Sequence, residues 1–178
     1  MDILLNDHKI DFGINDFPIL ISGAEKIGAS LFTVCMLANL LKSGNKVILF
    51  SAHPEAKEEF KSQVGKNNKA IIIESEDENI FIETIKNIPN LSEIVVLIKN
   101  IDSYSSNLFK AIKDLKLIIL SGDLDKCRFA NNLLEKHFTS KIFFSYSEKY
   151  PLEELKDLPR YCGKIISYKY NGMIRLAV

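Results

Sequence analysis

The stretch Pro18-Ile-Leu-Ile-Ser-Gly-Ala-Glu-Lys-Ile-Gly-Ala-Ser30 decides the fold of this chain. Its first part, Pro18 to Ser22, has the continuous apolar character of a buried strand, and the glycines that follow predict a turn over residues 23–28. A long apolar helix then begins at Ala29. Strand, glycine turn and helix in this order are the layout of a phosphate-binding loop, in which backbone N–H groups and the helix dipole face an anion.

The loop departs from the usual pattern at a position that matters for function. The expected pattern is G-x-x-x-x-G-K-[ST]; Gly23, Gly28 and Ser30 are in register, but Ala29 stands where lysine would. A strand-to-helix turn that needs glycine for its backbone geometry alone is the alternative interpretation. The candidate phosphate-binding residues are Gly23, Ala24, Glu25, Lys26, Ile27, Gly28, Ala29 and Ser30.

The composition is that of a globular protein. The 178 residues are 47% hydrophobic and carry no net formal charge, so the charge balance points to neither nucleic acid nor an anionic membrane. Cys35, Cys127 and Cys162 are widely spaced, which favours free thiols in a reducing compartment. The first residues are too few and too acidic for a signal peptide, and the apolar helix Ala29–Leu41 is shorter than the ~20 residues of a membrane span. We expect a cytoplasmic protein with no membrane segment.

Strand and helix patterns alternate along the rest of the chain. The predicted strands are continuously apolar, which indicates a parallel sheet covered by helices on both faces, and therefore an α/β fold. After the loop strand, the predicted strands are Lys46–Ser51, Ala70–Ile73, Glu93–Ile98, Lys116–Leu120 and Lys141–Ser145. The predicted helices are Ala29–Leu41, Glu55–Val64, one that begins near Glu76, Tyr104–Lys113 and Lys126–Lys136.

The two ends of the chain are expected to differ from this core. Residues 1–17 indicate an irregular lead-in with a strand fragment. Near the other end, Asn171-Gly172 is a preferred two-residue turn, which predicts a β-hairpin between Lys164–Tyr170 and Met173–Val178. The expected organisation is one domain, with the lead-in at 1–17, the α/β core at 18–146, and a helix turn with the antiparallel hairpin at 147–178.

A magnesium site is expected beside the loop. A phosphate-binding loop works with a second strand that ends in a carboxylate for Mg²⁺, and Asp102 follows such a strand. Ser30 would supply a hydroxyl ligand, so the predicted metal ligands are Ser30 and Asp102. The alternative role for Asp102 is a helix N-cap before Ser103 and Tyr104, and the two roles are compatible.

Four fragments of the chain occur in an informative order. They are Gly13 to Gly23, Val47–Ser51 with Pro54-Glu55, Ile101-Asp102-Ser103-Tyr104-Ser105, and Tyr161 to Arg175. In this order they resemble the lead-in, second strand, Walker B end and terminal hairpin of the RecA/KaiC-like branch of P-loop NTPases. The resemblance implies a RecA-like three-layer αβα fold, with a mainly parallel sheet, a C-terminal antiparallel hairpin, and assembly into rings or filaments.

Two groups that the resemblance implies for catalysis are absent. Ala29 replaces the loop lysine that neutralises phosphate charge, and Ala52-His53 replaces a glutamate that polarises the attacking water, with Glu55 only later. His53 as a substitute base competes with the simpler interpretation of a polar turn residue. We therefore predict a non-catalytic domain with weak or absent binding of ATP and Mg²⁺.

The resemblance also implies a protein partner, either a second copy or a RecA-like paralogue, beside which the chain would act as an oligomeric or regulatory subunit. RecA-like rings complete a neighbour's site with a cation from the C-terminal strands. The candidate cations are Arg128, Arg160, Arg175 and Lys169, for each of which a solvated surface charge is the simpler interpretation.

Two alternative functions remain open at this point. The first is an atypical ATPase, in which Lys26 or a neighbouring subunit's lysine or arginine replaces the missing loop lysine. The second is a nucleic-acid-binding module that stacks bases on Tyr161, Tyr168 and Tyr170. Alternation along a hairpin explains these tyrosines equally well, and the zero net charge counts against nucleic acid.

Overall fold

The computed structural model describes residues 2–5, 7–23, 28–53, 58, 60, 69–135 and 138–177. Within these residues ten strands form one sheet. The strands are β1 Asp2–Leu5, β2 His8–Lys9, β3 Ile19–Ser22, β4 Lys46–Ser51, β5 Ala70–Glu74, β6 Ile94–Lys99, β7 Ile118–Gly122, β8 Ser140–Phe143, β9 Cys162–Ser167 and β10 Asn171–Ala177. Their order in the sheet is β2-β1-β10-β9-β8-β3-β7-β6-β4-β5.

The strands from β8 to β5 in this order run parallel, as their continuous apolar sequences predict. β3, which leads into the candidate loop, lies between β8 and β7, and β7 separates it from β6. β7 lies later than predicted, so Ser121 and Gly122 belong to the strand, because they continue the pairing with Ile21 and Ser22. The carboxyl ends of the parallel strands meet at one edge of the sheet, where ligands of such folds bind.

Alternate residues of the parallel strands contribute to two hydrophobic clusters, one on each face of the sheet. Ile19 and Ile21 lie in one cluster and Leu20 lies in the other, as the pleat requires. Helix α1 (Ala29–Lys42) packs on the first face. The second face is covered by α2 (Glu78–Asn87), α3 (Ser106–Ile112) and α4 (Ala130–Glu135). We call these the α1 face and the α3 face; together with the sheet they make the three-layer α/β fold that the sequence predicts.

The helix ends follow the chemistry of their flanking residues. Gly44, with φ of 91°, lies just beyond the end of α1. The side chains of Asp77 and Ser105 accept backbone N–H groups at 3.0 and 3.1 Å and cap α2 and α3. The predicted helix Glu55–Val64 lies mostly outside the described residues.

Helix α4 begins later than predicted. The sequence places its start near Lys126, but the helix begins at Ala130. The preceding turn is held by the Lys149 ammonium group, which donates to three backbone carbonyls in the turn. These carbonyls belong to Leu124, Asp125 and Cys127, at 3.0, 3.0 and 2.8 Å. A contact with a residue this far along the chain overrides the local helical pattern.

The C-terminal hairpin is present, but its predicted turn is wrong. Asn171 and Gly172 lie within β10 and pair with β9. The turn instead consists of Tyr168-Lys169, where the Ser167 N–H donates to the Tyr170 carbonyl at 2.7 Å and the Ser167 hydroxyl accepts the Tyr170 N–H at 2.8 Å. The Ser167 side chain therefore closes a hairpin turn that lies just before the Asn171-Gly172 pair predicted to form it.

The lead-in is more regular than predicted. β1 and β2 extend the sheet beyond β10 with antiparallel pairing, so the N-terminal residues adjoin the C-terminal hairpin. At Gly172 the Leu5 side chain packs closely against β10, since an added Cβ would lie 3.0 Å from Cδ1 of Leu5. This glycine serves packing between strands rather than turn geometry.

Candidate phosphate-binding site

The candidate loop joins β3, which lies between β8 and β7 in the sheet, to the largely buried helix α1. β3 ends at Ser22 and α1 begins at Ala29, as predicted. Gly23 and Gly28 are described, whereas residues 24–27, which are Ala24, Glu25, Lys26 and Ile27, lie outside the described residues. The Gly23 N–H donates to the Gly122 carbonyl at 3.2 Å, which ties the start of the loop to β7.

Gly28 is packed against the C-terminal segment of the chain. Its φ is 122°, and a Cβ there would lie 3.0 Å from Cα of Tyr161 and 3.4 Å from Cδ1 of Phe144. A side chain is therefore excluded by conformation and by contact. Tyr161 is itself in a left-handed conformation, with φ of 66°, and the Arg160 guanidinium lies 4.9 Å from the centre of its ring. The residues just before β9 thus help to hold the end of the loop in place.

The two residues that open α1 have opposite environments. Ala29 is only 6% exposed and belongs to the cluster of the α1 face, which also contains Phe32. Ser30 is exposed on the first turn of the helix. The position that carries the cation in the usual loop is therefore part of the hydrophobic core in this protein.

A buried pair of hydroxyl groups connects α1 to β7, and sequence reasoning missed it. The Thr33 hydroxyl donates to the Ala29 carbonyl at 2.8 Å and lies 3.2 Å from Oγ of Ser121. Thr33 and Ser121 are 0% and 5% exposed. The signal available in the sequence was a polar residue inside an otherwise apolar helix.

Asp102 lies beyond the end of β6, on the short 3-10 helix Ile101–Ser103. Its carboxylate accepts the Asp123 N–H at 3.0 Å and contacts Gly122, where an added Cβ would meet Oδ1 at 2.5 Å. Ile101 belongs to the cluster of the α3 face. The carboxylate therefore lies on the opposite side of the sheet from α1 and Ser30. The alternative role as an N-cap before Ser103 and Tyr104 is wrong, because the residue that caps α3 is Ser105.

These positions fit a magnesium ion poorly. Strand β6 ends in Lys99 rather than in a carboxylate, and one of the two carboxylate oxygens of Asp102, Oδ1, already accepts a backbone N–H. Within the described residues no group of three or more His, Cys, Asp or Glu side chains is arranged to hold a metal ion. Ser30 and Asp102 as metal ligands therefore stay a prediction, and we derive no step through a metal.

The residues after β4 are held by a small polar network. Ser51 Oγ lies 3.1 Å from Oδ1 of Asn100 and 3.2 Å from both the carbonyl and the N–H of His53. The structure therefore ties the ends of β4 and β6 together, and it places the His53 side chain at the exposed surface. Glu55 lies outside the described residues, and His53 as a base stays a prediction.

The candidate cations for a neighbouring subunit are spread over the molecule. Arg175 on β10 pairs at 2.6 Å with Asp7, which lies between β1 and β2, and Lys169 lies 4.6 Å from the Tyr170 ring centre at the hairpin turn. Arg128 lines a cleft of about 470 Å³ together with Asp102 on the α3 face. Tyr168, at the tip of the hairpin, is 70% exposed.

Two ionisable groups near Asp102 have raised pKa values. Burial raises the pKa of the Tyr104 hydroxyl, and the nearby carboxylates of Glu76 and Glu78 raise it further. Burial also raises the pKa of the Cys127 thiol. Cys35, Cys127 and Cys162 are all free, as predicted.

The fold has relatives among solved structures. ATPases 2 and 3 of Thermomonospora curvata EccC, in complex with a signal sequence peptide, match with a TM-score of 0.69 at 11% identity, over 99% of this chain and 40% of that chain. The pCW3 conjugation coupling protein TcpA, as a monomer with ATPγS, matches with a TM-score of 0.62 at 14% identity, over 98% and 65%. The genome packaging NTPase B204 of Sulfolobus turreted icosahedral virus 2, with sulfate, matches with a TM-score of 0.62 at 14% identity, over 92% and 98%.

At these identities the likeness shows the fold alone, which is that of a P-loop NTPase domain. This chain spans less than two thirds of the EccC and TcpA chains and nearly all of B204. No protein-family model matches the sequence, and neither does any curated protein. Of the helices in the described residues, none is long and apolar enough to cross a membrane.

Proposed function

We propose that the chain is a degenerate, RecA/KaiC-like P-loop domain that does not hydrolyse ATP and acts as an oligomeric or regulatory subunit, with weak or no nucleotide binding. The observation that carries this proposal is the burial of Ala29, which is 6% exposed in the core of the α1 face. The position that usually supplies the loop cation is here committed to packing.

The energetic consequence of this substitution is large. Loss of one preorganised charge or donor at a reaction centre typically lowers the rate about a hundredfold or more. The Ala52-His53 pair adds a second loss if the glutamate implied by the resemblance is the water-activating group. Two such losses leave little transition-state stabilisation in the chain itself.

The remaining geometry supports anion binding rather than turnover. The loop residues before Ala29 lead into α1, a helix of 14 residues whose N-terminus favours negative charge. TcpA and B204 were solved with ATPγS, and B204 also with sulfate, which supports a phosphate group as the ligand of this fold. The peptide complex of EccC supports a protein partner as a role for such domains.

The test is calorimetry with ATP and Mg²⁺ together with a phosphate-release assay. We expect weak or no binding and no release above background. Lys26→Ala is compared with Lys42→Ala, a matched change at the exposed C-terminal end of α1. Tight binding with turnover that Lys26→Ala abolishes would establish the atypical ATPase instead.

The same samples test the partner and the other alternative. Sedimentation of the purified chain shows whether it forms a homo-oligomer, which the regulatory role toward a RecA-like paralogue does not require. Binding to a labelled oligonucleotide that weakens steeply with salt would favour the nucleic-acid-binding module.

A further inference from the structure

The strand at one end of the sheet presents an apolar edge. β5 is last in the strand order, and among the described strands it pairs with β4 alone. Its stretch Ala70-Ile-Ile-Ile73 contains neither proline nor charge, and Ile71 is 57% exposed. Proteins usually protect an edge strand with such residues, because an open apolar edge pairs readily with another chain. The edge of β5 therefore has the character of an interface.

The backbone of β5 alternates between the two sides of the strand. The Val47 N–H of β4 donates to the Lys69 carbonyl at 2.9 Å, while Val47 itself is in register with Ala70. In a parallel ladder this arrangement means that the odd-numbered residues of β5 bond to β4. Ala70 and Ile72 therefore direct their N–H and C=O groups to the other side, where no described strand lies. These groups are a template for a further strand.

The side chains of β5 divide between the two faces of the sheet. Ile71 is in register with Ile48, which belongs to the cluster of the α3 face. Ala70 and Ile72 pack instead against the cluster of the α1 face. The exposed Ile71 side chain thus lies on the α3 face, between the two residues whose backbone groups point outward.

The charges near the two ends of β5 have opposite signs. Lys46 and Lys69 are exposed at the amino end, where the Lys69 ammonium group donates to the Gly44 carbonyl at 3.3 Å and keeps its charge. Glu76 and Asp77 are exposed just beyond the carboxyl end. Two antiparallel copies of β5 would bring the basic end of each toward the acidic end of the other, whereas parallel copies would align like charges. The charge pattern is therefore complementary to a second, antiparallel copy.

We propose that a second copy of this chain adds to the edge of β5 in antiparallel orientation, with a two-fold axis at Ile71. In this register Ala70 of each copy exchanges both backbone hydrogen bonds with Ile72 of the other. The two Ile71 side chains form the closely spaced, non-hydrogen-bonded pair between them. A contact of this isologous kind closes at two copies. The inference rests on the oligomeric role proposed above and gives that role a partner and a surface.

The contact is short, which sets the strength to be expected. β5 has five residues, and a pair of such strands is small beside the roughly 1,200–2,000 Å² that stable interfaces bury. We therefore expect a weak dimer that forms at high protein concentration and dissociates on dilution.

The experiment is sedimentation equilibrium of the full chain from about 1 μM to about 1 mM. We expect a monomer–dimer equilibrium for wild type. Ile71→Lys removes the apolar contact, places like charges opposite each other, and should weaken the dimer about tenfold or more. Ile14→Lys makes the same change at an isoleucine of the lead-in that is 59% exposed, and should leave the dissociation constant within about twofold.

A cysteine at the axis tests the register directly. The background is Cys162→Ser, since the other two cysteines are buried. Ile71→Cys should give a disulfide between two copies under mild oxidation, because directly opposed residues of a non-hydrogen-bonded pair lie within disulfide range. Ile73→Cys, on the same strand and face, should not, because the two copies of this residue are offset by ~13 Å along the strand.

A backbone variant separates strand pairing from contact between apolar patches. Ala70→Pro removes an outward N–H at the first residue of β5, where a sheet edge tolerates proline, and keeps the three isoleucines. It should weaken the dimer as Ile71→Lys does. Circular dichroism and the unfolding temperature establish that each variant is folded. If either variant fails to fold, the disulfide comparison decides.

A wild-type chain that stays monomeric at the highest concentration overturns the inference, as does a dimer that Ile71→Lys or Ala70→Pro leaves unchanged. Assemblies larger than a dimer that depend on Ile71 overturn the closed two-fold arrangement. Cross-linking through Ile73→Cys but not through Ile71→Cys overturns the register. ATP turnover would overturn the proposed non-catalytic function and leave these comparisons valid.

Discussion

Near the carboxyl ends of β6 and β7, the α1 face and the α3 face carry side chains of opposite charge. Lys99 ends β6 and continues the row of Val95 and Leu97 on the α1 face, while Asp102, three residues later, lies against Gly122 on the α3 face. Two charged residues that are three positions apart in the sequence can therefore lie on opposite faces of the sheet. On the α1 face the cationic side chain is buried, and on the α3 face the carboxylate accepts a backbone N–H.

The largest effect is expected from Gly122→Ala, which tests how tightly Asp102 and Ile101 are packed on the α3 face. The new Cβ would lie 2.5 Å from Oδ1 of Asp102 and 2.9 Å from the Ile101 nitrogen. Since that nitrogen is backbone, the strand end must shift, and we expect a loss of about 1–3 kcal/mol in the free energy of unfolding.

Gly13→Ala is the matched control for this substitution, measured in the same urea titration. Gly13 has φ of −121° and no atom within 4 Å of an added Cβ, so its change should stay within about 0.5 kcal/mol. Equal losses for the two variants would show that the contact with Asp102 is loose.

The second effect concerns the hydroxyl pair of the α1 face. Thr33→Val keeps the shape of the side chain but deprives the buried Ser121 hydroxyl of its contact, and we expect a loss of about 1–2 kcal/mol. Adding Ser121→Ala should cost less in the Thr33→Val background than in wild type, because the unpaired group is then removed. Strict additivity in this double-mutant cycle would contradict a direct interaction.

The third test asks whether Asp102 serves structure or ligand. Asp102→Ala removes the acceptor of the Asp123 N–H and should cost about 1 kcal/mol of stability. Its affinity for tripolyphosphate should stay within about twofold of wild type. A loss of affinity seen only with Mg²⁺ present would instead support the predicted ligand pair of Ser30 and Asp102.

The smallest effect is the pH dependence contributed by Tyr104, which is buried on the α3 face. Its pKa is raised in the folded protein, so the stability it contributes is present below its ordinary pKa of 10.0 and is lost as pH rises above that value. The free energy of unfolding of Tyr104→Phe should therefore decline less steeply above pH 10 than that of wild type. Near neutral pH the two should differ little, since the hydroxyl donates only a long bond of 3.4 Å to the Ser75 carbonyl. If the free energies of unfolding of the two proteins decline in parallel above pH 10, burial does not raise the pKa of the Tyr104 hydroxyl.

The sequence predicts regular elements well where the local pattern is strong. β3, α1 and β4 match their predicted positions closely because long apolar runs bounded by glycine admit few alternatives. The prediction fails where a distant residue decides the outcome. Lys149 holds the turn before α4 from farther along the chain. The hairpin turn differs for another reason: Asn171 and Gly172 are taken up in the pairing of β10 with β9, and Ser167 closes the turn by a local contact with Tyr170.

For the candidate site, too, some features follow from the local sequence and others only from the tertiary structure. The sequence alone shows that Ala29 replaces the loop lysine and that Ser30 keeps its hydroxyl, because register within a motif is local information. Only the tertiary structure shows that Ala29 is buried, that Thr33 contacts Ser121, and that Lys99 faces the loop helix while Asp102 does not. These facts depend on strand order, register and pleat, which arise from contacts between segments far apart in the chain.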